Sequence, residues 1–353
     1  MSAVPEDTMP DTTAAAESTR MYREIRESAA AIARQLEANR GVIGELAARL
    51  RRERPSLVAT GARGSSDNAA TFAKYLVETR LGVATTSAAP SVQSVYAART
   101  ALDGALFLAI SQSGKSPDLV AQASAAREAG ARVVAMVNVV ESPLAAAADV
   151  VVPLHAGPEL SVAATKSYLC SLSALLHLVA EWTGDTRLRD ALAQVPDALE
   201  AGWHNDWSAL VDGLAEARNL FVVGRGFGLS AAQEVALKFK ETCGLHAEAF
   251  SAAEVQHGPM TLVERGFPVL FFAQHDDSYE GTMAVAGRFR ERDARVWVAA
   301  PDGGELPFAA TGDPACAPLL AVHRCYGAIN ALALRRGRDP DAPPHLRKVT
   351  ETR

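Results

Sequence analysis

The chain has 353 residues, a formal net charge of −6, 48% apolar residues and 22% charged residues. That balance is the one expected of a globular protein with more than one core, and an acidic chain is a poor partner for nucleic acid. No stretch approaches the ~18 apolar residues of a membrane span. The four cysteines, Cys170, Cys243, Cys316 and Cys325, form no CxxC pair. They read as buried thiols of a reducing, cytoplasmic compartment.

Residues 1–20 are small, polar and acidic and read as a disordered lead-in with no secretory signal. Met21, Ile25, Ala29, Ile32 and Leu36 then recur at helical spacing, and Val42, Leu46 and Leu50 predict a second helix ending before Pro55. Short apolar runs follow at 57–60, 105–110, 133–137 and 150–154, separated by Ala-rich stretches of helical length at 68–79 and 118–129. Strand and helix in alternation predict crossover units and a parallel sheet. The stretch 186–215 reads as a helical bridge, after which runs at 220–223, 268–273 and 296–299 restart the alternation.

The two halves repeat. With Gly61 laid on Gly224, an offset of 163, Ala69 falls on Ala232, Glu78 on Glu241 and Val92-Gln93 on Val255-Gln256. Arg127-Glu128 falls on Arg290-Glu291, and Ala131-Arg132-Val133 on Ala294-Arg295-Val296. The expectation is one α/β domain duplicated and then specialised.

Where the copies differ, the chemistry appears. In the first, an apolar strand runs into Ser111-Gln112-Ser113-Gly114-Lys115-Ser116 and then a helix, while Gly64-Ser65-Ser66 precedes another helix. Hydroxyls and backbone N–H groups at helix N-termini, at the carboxyl edge of a parallel sheet, suit a phosphate. At the offset of 163 the second copy has Gln274-His275-Asp276-Asp277, whose carboxylates repel a phosphate, so one phosphate site per chain is expected. The second copy instead carries Glu241, with Glu234 and Lys238 on roughly the same helical face, and His257 before Gly258-Pro259. A carboxylate with an imidazole is a general acid/base pair suited to moving protons on a sugar. His246 reads as structural. Neither metal-ligand spacing nor a cofactor motif is present in the sequence, so neither a metal nor a cofactor is expected.

These motifs, together with Ala163-Ala164-Thr165-Lys166 and Gly224-Arg225-Gly226, resemble the sugar isomerase (SIS) family, with the isomerase half of glutamine–fructose-6-phosphate amidotransferase as a similar relative. The resemblance implies two tandem SIS domains, each a doubly wound, flavodoxin/Rossmann-like three-layer sandwich. N-terminal helices occupy 21–52, the first domain 53–185, the bridge 186–215, the second domain 216–335, and a tail reaching the active site 336–353. By position, Ser65, Ser66, Ser111, Gln112, Ser113 and Ser116 match sugar-phosphate binders, and Val162 a substrate-lining residue. Glu241 matches the base that moves a proton between C1 and C2, and Lys238 the lysine beside it. His257 matches a ring-opening group supplied across a homodimer. Lys348 matches a tail lysine that forms a Schiff base with a ketose. Ala164 stands where the amidotransferase has a serine near the substrate.

The first cysteine is Cys170, so the nucleophilic N-terminal cysteine of a glutaminase domain has no counterpart, and glutamine is not the expected ammonia source. The sequence reading is therefore a glucosamine-6-phosphate deaminase. A fructosamine-6-phosphate deglycase and a non-catalytic sugar-phosphate sensor are the alternatives. Gluco or galacto preference, flux direction and effectors stay open at this point.

Overall fold

The computed structural model describes residues 12–348. Its two sheets each hold five parallel strands. The first comprises β1 (Val58–Gly61), β2 (Thr85–Ser87), β3 (Leu106–Ser111), β4 (Arg132–Val137) and β5 (Val150–Pro153), in the order β2-β1-β3-β4-β5. The second comprises β6 (Asn219–Gly224), β7 (His246–Ser251), β8 (Pro268–Phe272), β9 (Arg295–Ala300) and β10 (Leu306–Pro307), in the order β10-β9-β8-β6-β7. Read from its other end, as β7-β6-β8-β9-β10, the second order repeats the first.

Strand alternation sends side chains to two different cores. Leu106, Leu108 and Ile110 face a cluster shared by both halves, whereas Phe107 and Ala109 face a cluster on the far side of the first sheet. Burial on both faces explains why these strands read as continuous apolar runs. The shared core is built on helix Lys166–Thr183, buried on nearly every side, and on helix Ala317–Arg335 against helix Phe227–Cys243. Helices Ser65–Leu81 and Phe227–Cys243, each following the first strand of its sheet, pack directly on each other.

The duplication is visible in three dimensions, with one correction to its register. Val58 pairs with Leu106 and Phe221 with Val269, which keeps the offset of 163 across these strands. The helices that follow, Ser65–Leu81 and Phe227–Cys243, are offset by 162. Each opens on a glycine of the same unusual conformation, Gly64 (φ 57°, ψ −131°) and Gly226 (φ 57°, ψ −127°), and each closes on a left-handed glycine, Gly82 and Gly244. The loop after β6 is one residue shorter than that after β1. Glu241 therefore lies opposite Thr79, and the ungapped match of Glu78 with Glu241 does not hold in space.

The lead-in is corrected as well. Residues Thr12–Ser18 form a helix against Ala317–Arg335, held where the Thr19 hydroxyl donates to Asn330 Oδ1 at 2.8 Å and Asn330 Nδ2 donates to the Ala16 carbonyl at 3.0 Å. Small polar composition concealed a helix whose main partner, Ala317–Arg335, lies at the far end of the chain. The rest of the lead-in, residues 1–11, and the end of the tail, residues 349–353, lie outside the described residues. The single helix expected from Met21 onward is two, Arg20–Arg26 and Ser28–Ala38. The bridge is three helices, Thr186–Ala193, Val195–Gly202 and Ser208–Leu214. No helix among the described residues is long and apolar enough to cross a membrane.

Candidate active site

The loop after β3 is stitched into one conformation. The Gly114 N–H donates to Ser111 Oγ at 3.0 Å, the Lys115 N–H donates to Ser113 Oγ at 3.3 Å, and the Leu144 N–H donates to the Gly114 carbonyl at 3.1 Å. Ser116 sits at the N-cap of helix Pro117–Glu128, its side chain unused in capping. Gly114 has φ 63°, and a Cβ there would come within 2.1 Å of Ser142 Oγ, so this position requires glycine. Arg63 ties the neighbouring loop to this one with bonds of 3.0 and 2.7 Å to Asp118. Ser65 and Ser66 begin helix Ser65–Leu81 and are half-buried, as are Gln112 and Ser113. Two hydroxyl-bearing loops and two helix N-termini thus share the carboxyl edge of the first sheet, the geometry that favours an anion.

The equivalent loop of the second sheet is filled by its own side chains. Gln274 Nε2 donates to the Arg225 carbonyl at 2.8 Å and to Asp276 Oδ2 at 3.0 Å, while Asp276 Oδ1 accepts from the Ser278 hydroxyl at 2.6 Å.

Helix Phe227–Cys243 carries the ionisable groups. Lys238 is buried and ion-paired to the partly exposed Glu241, one turn away. It also lies 3.7 Å from Glu234 Oε1. Glu234 is fully buried: from the first domain Ser65 Oγ donates to Oε1 at 3.1 Å and Asn68 Nδ2 to Oε2 at 2.8 Å, and from its own domain Tyr326 OH donates to Oε1 at 2.8 Å. Burial pushes the Glu234 carboxyl up from its ordinary range, against the pull of Lys238 and of the Asn68 and Tyr326 donors. For Lys238, burial acts to depress the ammonium, but the Glu234 and Glu241 carboxylates outweigh it and hold its pKa above the usual value.

The tail completes the cluster. Asp341 accepts the N–H groups of Arg20 and Met21, both at 2.8 Å, and Lys348 Nζ donates to Glu159 Oε2 at 3.0 Å. Glu159 is buried and also accepts the N–H groups of Thr165 and Ser167, each at 3.0 Å, and the Ser167 hydroxyl at 2.7 Å. Burial acts to raise its pKa, but Lys348 and the Ser167 and Thr165 donors outweigh that and leave it below the usual value. A carboxyl lowered by folding adds stability above its unfolded pKa of ~4.3 and loses it as pH falls through the folded value. Glu159→Gln should therefore cost about 1–3 kcal/mol near pH 7 and flatten the acid side of the stability profile. Urea denaturation at pH 7 and at pH 3 checks this, and parallel pH profiles for both proteins would exclude it.

The structure therefore brings Glu241, Lys238 and, through Glu234, Ser65 into one connected network, with Lys348 pinned nearby on Glu159. Glu159 is close enough to Lys238 to help hold its charge. Val162 lies in the loop joining the tail to this region, its N–H donating to the Asp341 carbonyl at 3.4 Å. His257 stands apart: it is exposed, at the end of the turn Glu254–Gln256, with its N–H on the Glu254 carbonyl at 2.9 Å. His246, read as structural, lies at the exposed start of β7. The sequence reading missed Glu159, Asn68 and Tyr326 and gave Glu234 no role. The two-turn spacing of Glu234 from Glu241 was a usable signal, whereas Glu159 had none.

Two parallel α/β units, one with a hydroxyl-rich loop at its sheet edge and the other with a buried acid–lysine helix bonded to Ser65 of the first, define a duplicated α/β fold. The SIS domain family matches residues 50–180 and 213–300, and the chain belongs to that family. It is 32% identical over 347 residues to the isomerizing glutamine–fructose-6-phosphate aminotransferase of Thermococcus kodakarensis, covering 93% of this chain and 57% of that one. It is 37% identical over 264 residues to the aminotransferase of the same name from Pyrobaculum aerophilum, covering 69% of this chain and 43% of that one. The chain thus spans about half the length of these curated relatives. Among solved structures, a Silicibacter pomeroyi protein provisionally named a phosphosugar isomerase is 44% identical, with a TM-score of 0.86 over 92% of this chain and all of that one. Glucosamine-6-phosphate deaminase of Thermotoga maritima shares the fold at 23% identity, with a TM-score of 0.76 over 95% of this chain and all of that one.

Proposed function

We propose that this SIS protein converts D-glucosamine 6-phosphate and water to D-fructose 6-phosphate and ammonia. The observation that carries the reading is the Ser65–Glu234 contact, which ties the Gly64-Ser65-Ser66 loop of the first domain to the helix that carries the Lys238–Glu241 pair of the second. In this reading Ser65, Ser66, Ser111, Gln112, Ser113 and Ser116 hold the 6-phosphate, with Val162 beside the sugar. The enzyme acts as a homodimer in the cytoplasm, and His257, exposed on its turn, assists ring opening in the neighbouring subunit. Glu241 takes the proton from C2 of the open-chain aldehyde and delivers one to C1. The amino group then becomes a C2 imine, water adds to C2, and ammonia leaves. Lys238 steadies the Glu241 carboxylate in the site before substrate enters. Lys348, paired with Glu159, steadies the carbonyl oxygen.

The names of the matched relatives support an amino-sugar phosphate, since glutamine–fructose-6-phosphate aminotransferase and glucosamine-6-phosphate deaminase both handle that chemistry. The test is release of ammonia and fructose 6-phosphate in equal amounts from glucosamine 6-phosphate, with no glutamine present. Release of both only from a fructosamine 6-phosphate would replace the deaminase with a deglycase. Binding without turnover on either would leave a sensor.

A further inference from the structure

Glu234 is placed to do more than fill space. Its Oε1 has room for about two in-plane donors. Ser65 Oγ and Tyr326 OH occupy them at 3.1 and 2.8 Å, and Lys238 is held off at 3.7 Å, on Glu241 instead. A serine hydroxyl has one hydrogen to donate. Ser65 therefore cannot give that hydrogen to Glu234 and to a phosphate at once.

We infer that Glu234 is a positioning residue that exchanges hydrogen-bond donors when a phosphate enters the first domain. The Ser65 hydroxyl turns from Glu234 to the phosphate, Lys238 swings onto the vacated side of Glu234 Oε1, and the Glu241 carboxylate is left free to accept a proton. No covalent bond changes. Asn68, on Oε2 at 2.8 Å, keeps Glu234 fixed while the donors on Oε1 exchange. Phosphate occupancy thereby switches on the base, so that a sugar lacking the phosphate meets a base still tied to its lysine. The inference rests on the phosphate-cradle reading of Ser65 and holds whichever amino sugar is the substrate.

The test is a double-mutant cycle on binding. Inorganic phosphate is titrated calorimetrically into the intact chain, Ser65→Ala, Glu234→Gln and the double variant. Glu234→Gln weakens the competitor for the Ser65 hydrogen. It should therefore tighten phosphate binding at least threefold more in the parent, where the hydroxyl is present, than in the Ser65→Ala background, where it is gone. In turnover of glucosamine 6-phosphate, the same variant should lower KM while lowering kcat, a split that simple loss of structure does not produce. If Glu234→Gln does not fold, Tyr326→Phe serves: with one donor fewer, Glu234 holds Ser65 harder, and phosphate should bind at least twofold more weakly. An additive cycle, or unchanged phosphate affinity in Tyr326→Phe, overturns the donor exchange. Failure of the parent protein to bind phosphate overturns it too. Phosphate binding without turnover sinks the deaminase reading alone, and the cycle still decides the exchange.

Discussion

Glu241→Gln should abolish almost all turnover while the protein still binds its sugar phosphate. Loss of a general base costs ~10²–10⁴ in rate, so kcat should fall by about that factor. Binding should stay within about tenfold, because in the proposed reading loops of the other domain hold the phosphate. The fold should survive for an electrostatic reason. Lys238 is the buried cation of the cluster, and with Glu241 neutral it still has Glu234 to balance its charge. Glu241 itself is only partly buried, and an amide of the same shape fits its place. Steady-state kinetics with a parallel thermal-shift titration of fructose 6-phosphate separates the two effects. Turnover within tenfold of the parent would remove Glu241 from the chemistry.

Gly114→Ala should break the loop proposed to hold the phosphate, and leave Glu241 in place. At φ 63° an L-residue costs ~1–2 kcal/mol, and the new methyl would stand 2.6 Å from Ser142 Cβ. Ser142 caps helix Pro143–Ala147 through the Ala145 N–H, and the Gly114 carbonyl accepts the Leu144 N–H, so neither side yields easily. The loop must move, and Ser111 and Ser113, which take N–H groups from Gly114 and Lys115, move with it. Affinity for fructose 6-phosphate should fall by at least tenfold, about 1.4 kcal/mol, with some loss of melting temperature. Gly303→Ala is a control of similar conformation, at φ 71° with open space around its Cβ, in a loop of the second domain. Equal losses of affinity in both variants would mean that backbone strain alone, and not the loop, is being read.

The sequence showed the fold class because parallel strands buried on both faces leave unbroken apolar runs, and 106–110 and 268–272 are two of these. It did not show β2 or β10, which are short edge strands, or β7, where His246 and Glu248 face outward and break the apolar run. The duplication was legible across the strands. The register of the first helices was not, because a one-residue deletion in a loop leaves Ala-rich helices looking aligned in either phase. For the site, hydroxyl-rich turns and the Glu234–Lys238–Glu241 spacing stand out in one dimension. Glu159 does not: a lone carboxylate in a loop gains its meaning only where Thr165, Ser167 and a lysine almost two hundred residues away converge on it.

In the proposed function this cluster moves a proton between adjacent sugar carbons. The direct measurement is proton NMR of D-fructose 6-phosphate incubated with the protein in D2O. Deuterium should enter at C1, at one of its two hydrogens, and Glu241→Gln should slow the exchange by about the factor given for turnover. This reads proton transfer whether or not ammonia is ever released. No exchange from the intact protein, under conditions where fructose 6-phosphate is bound, would contradict the account.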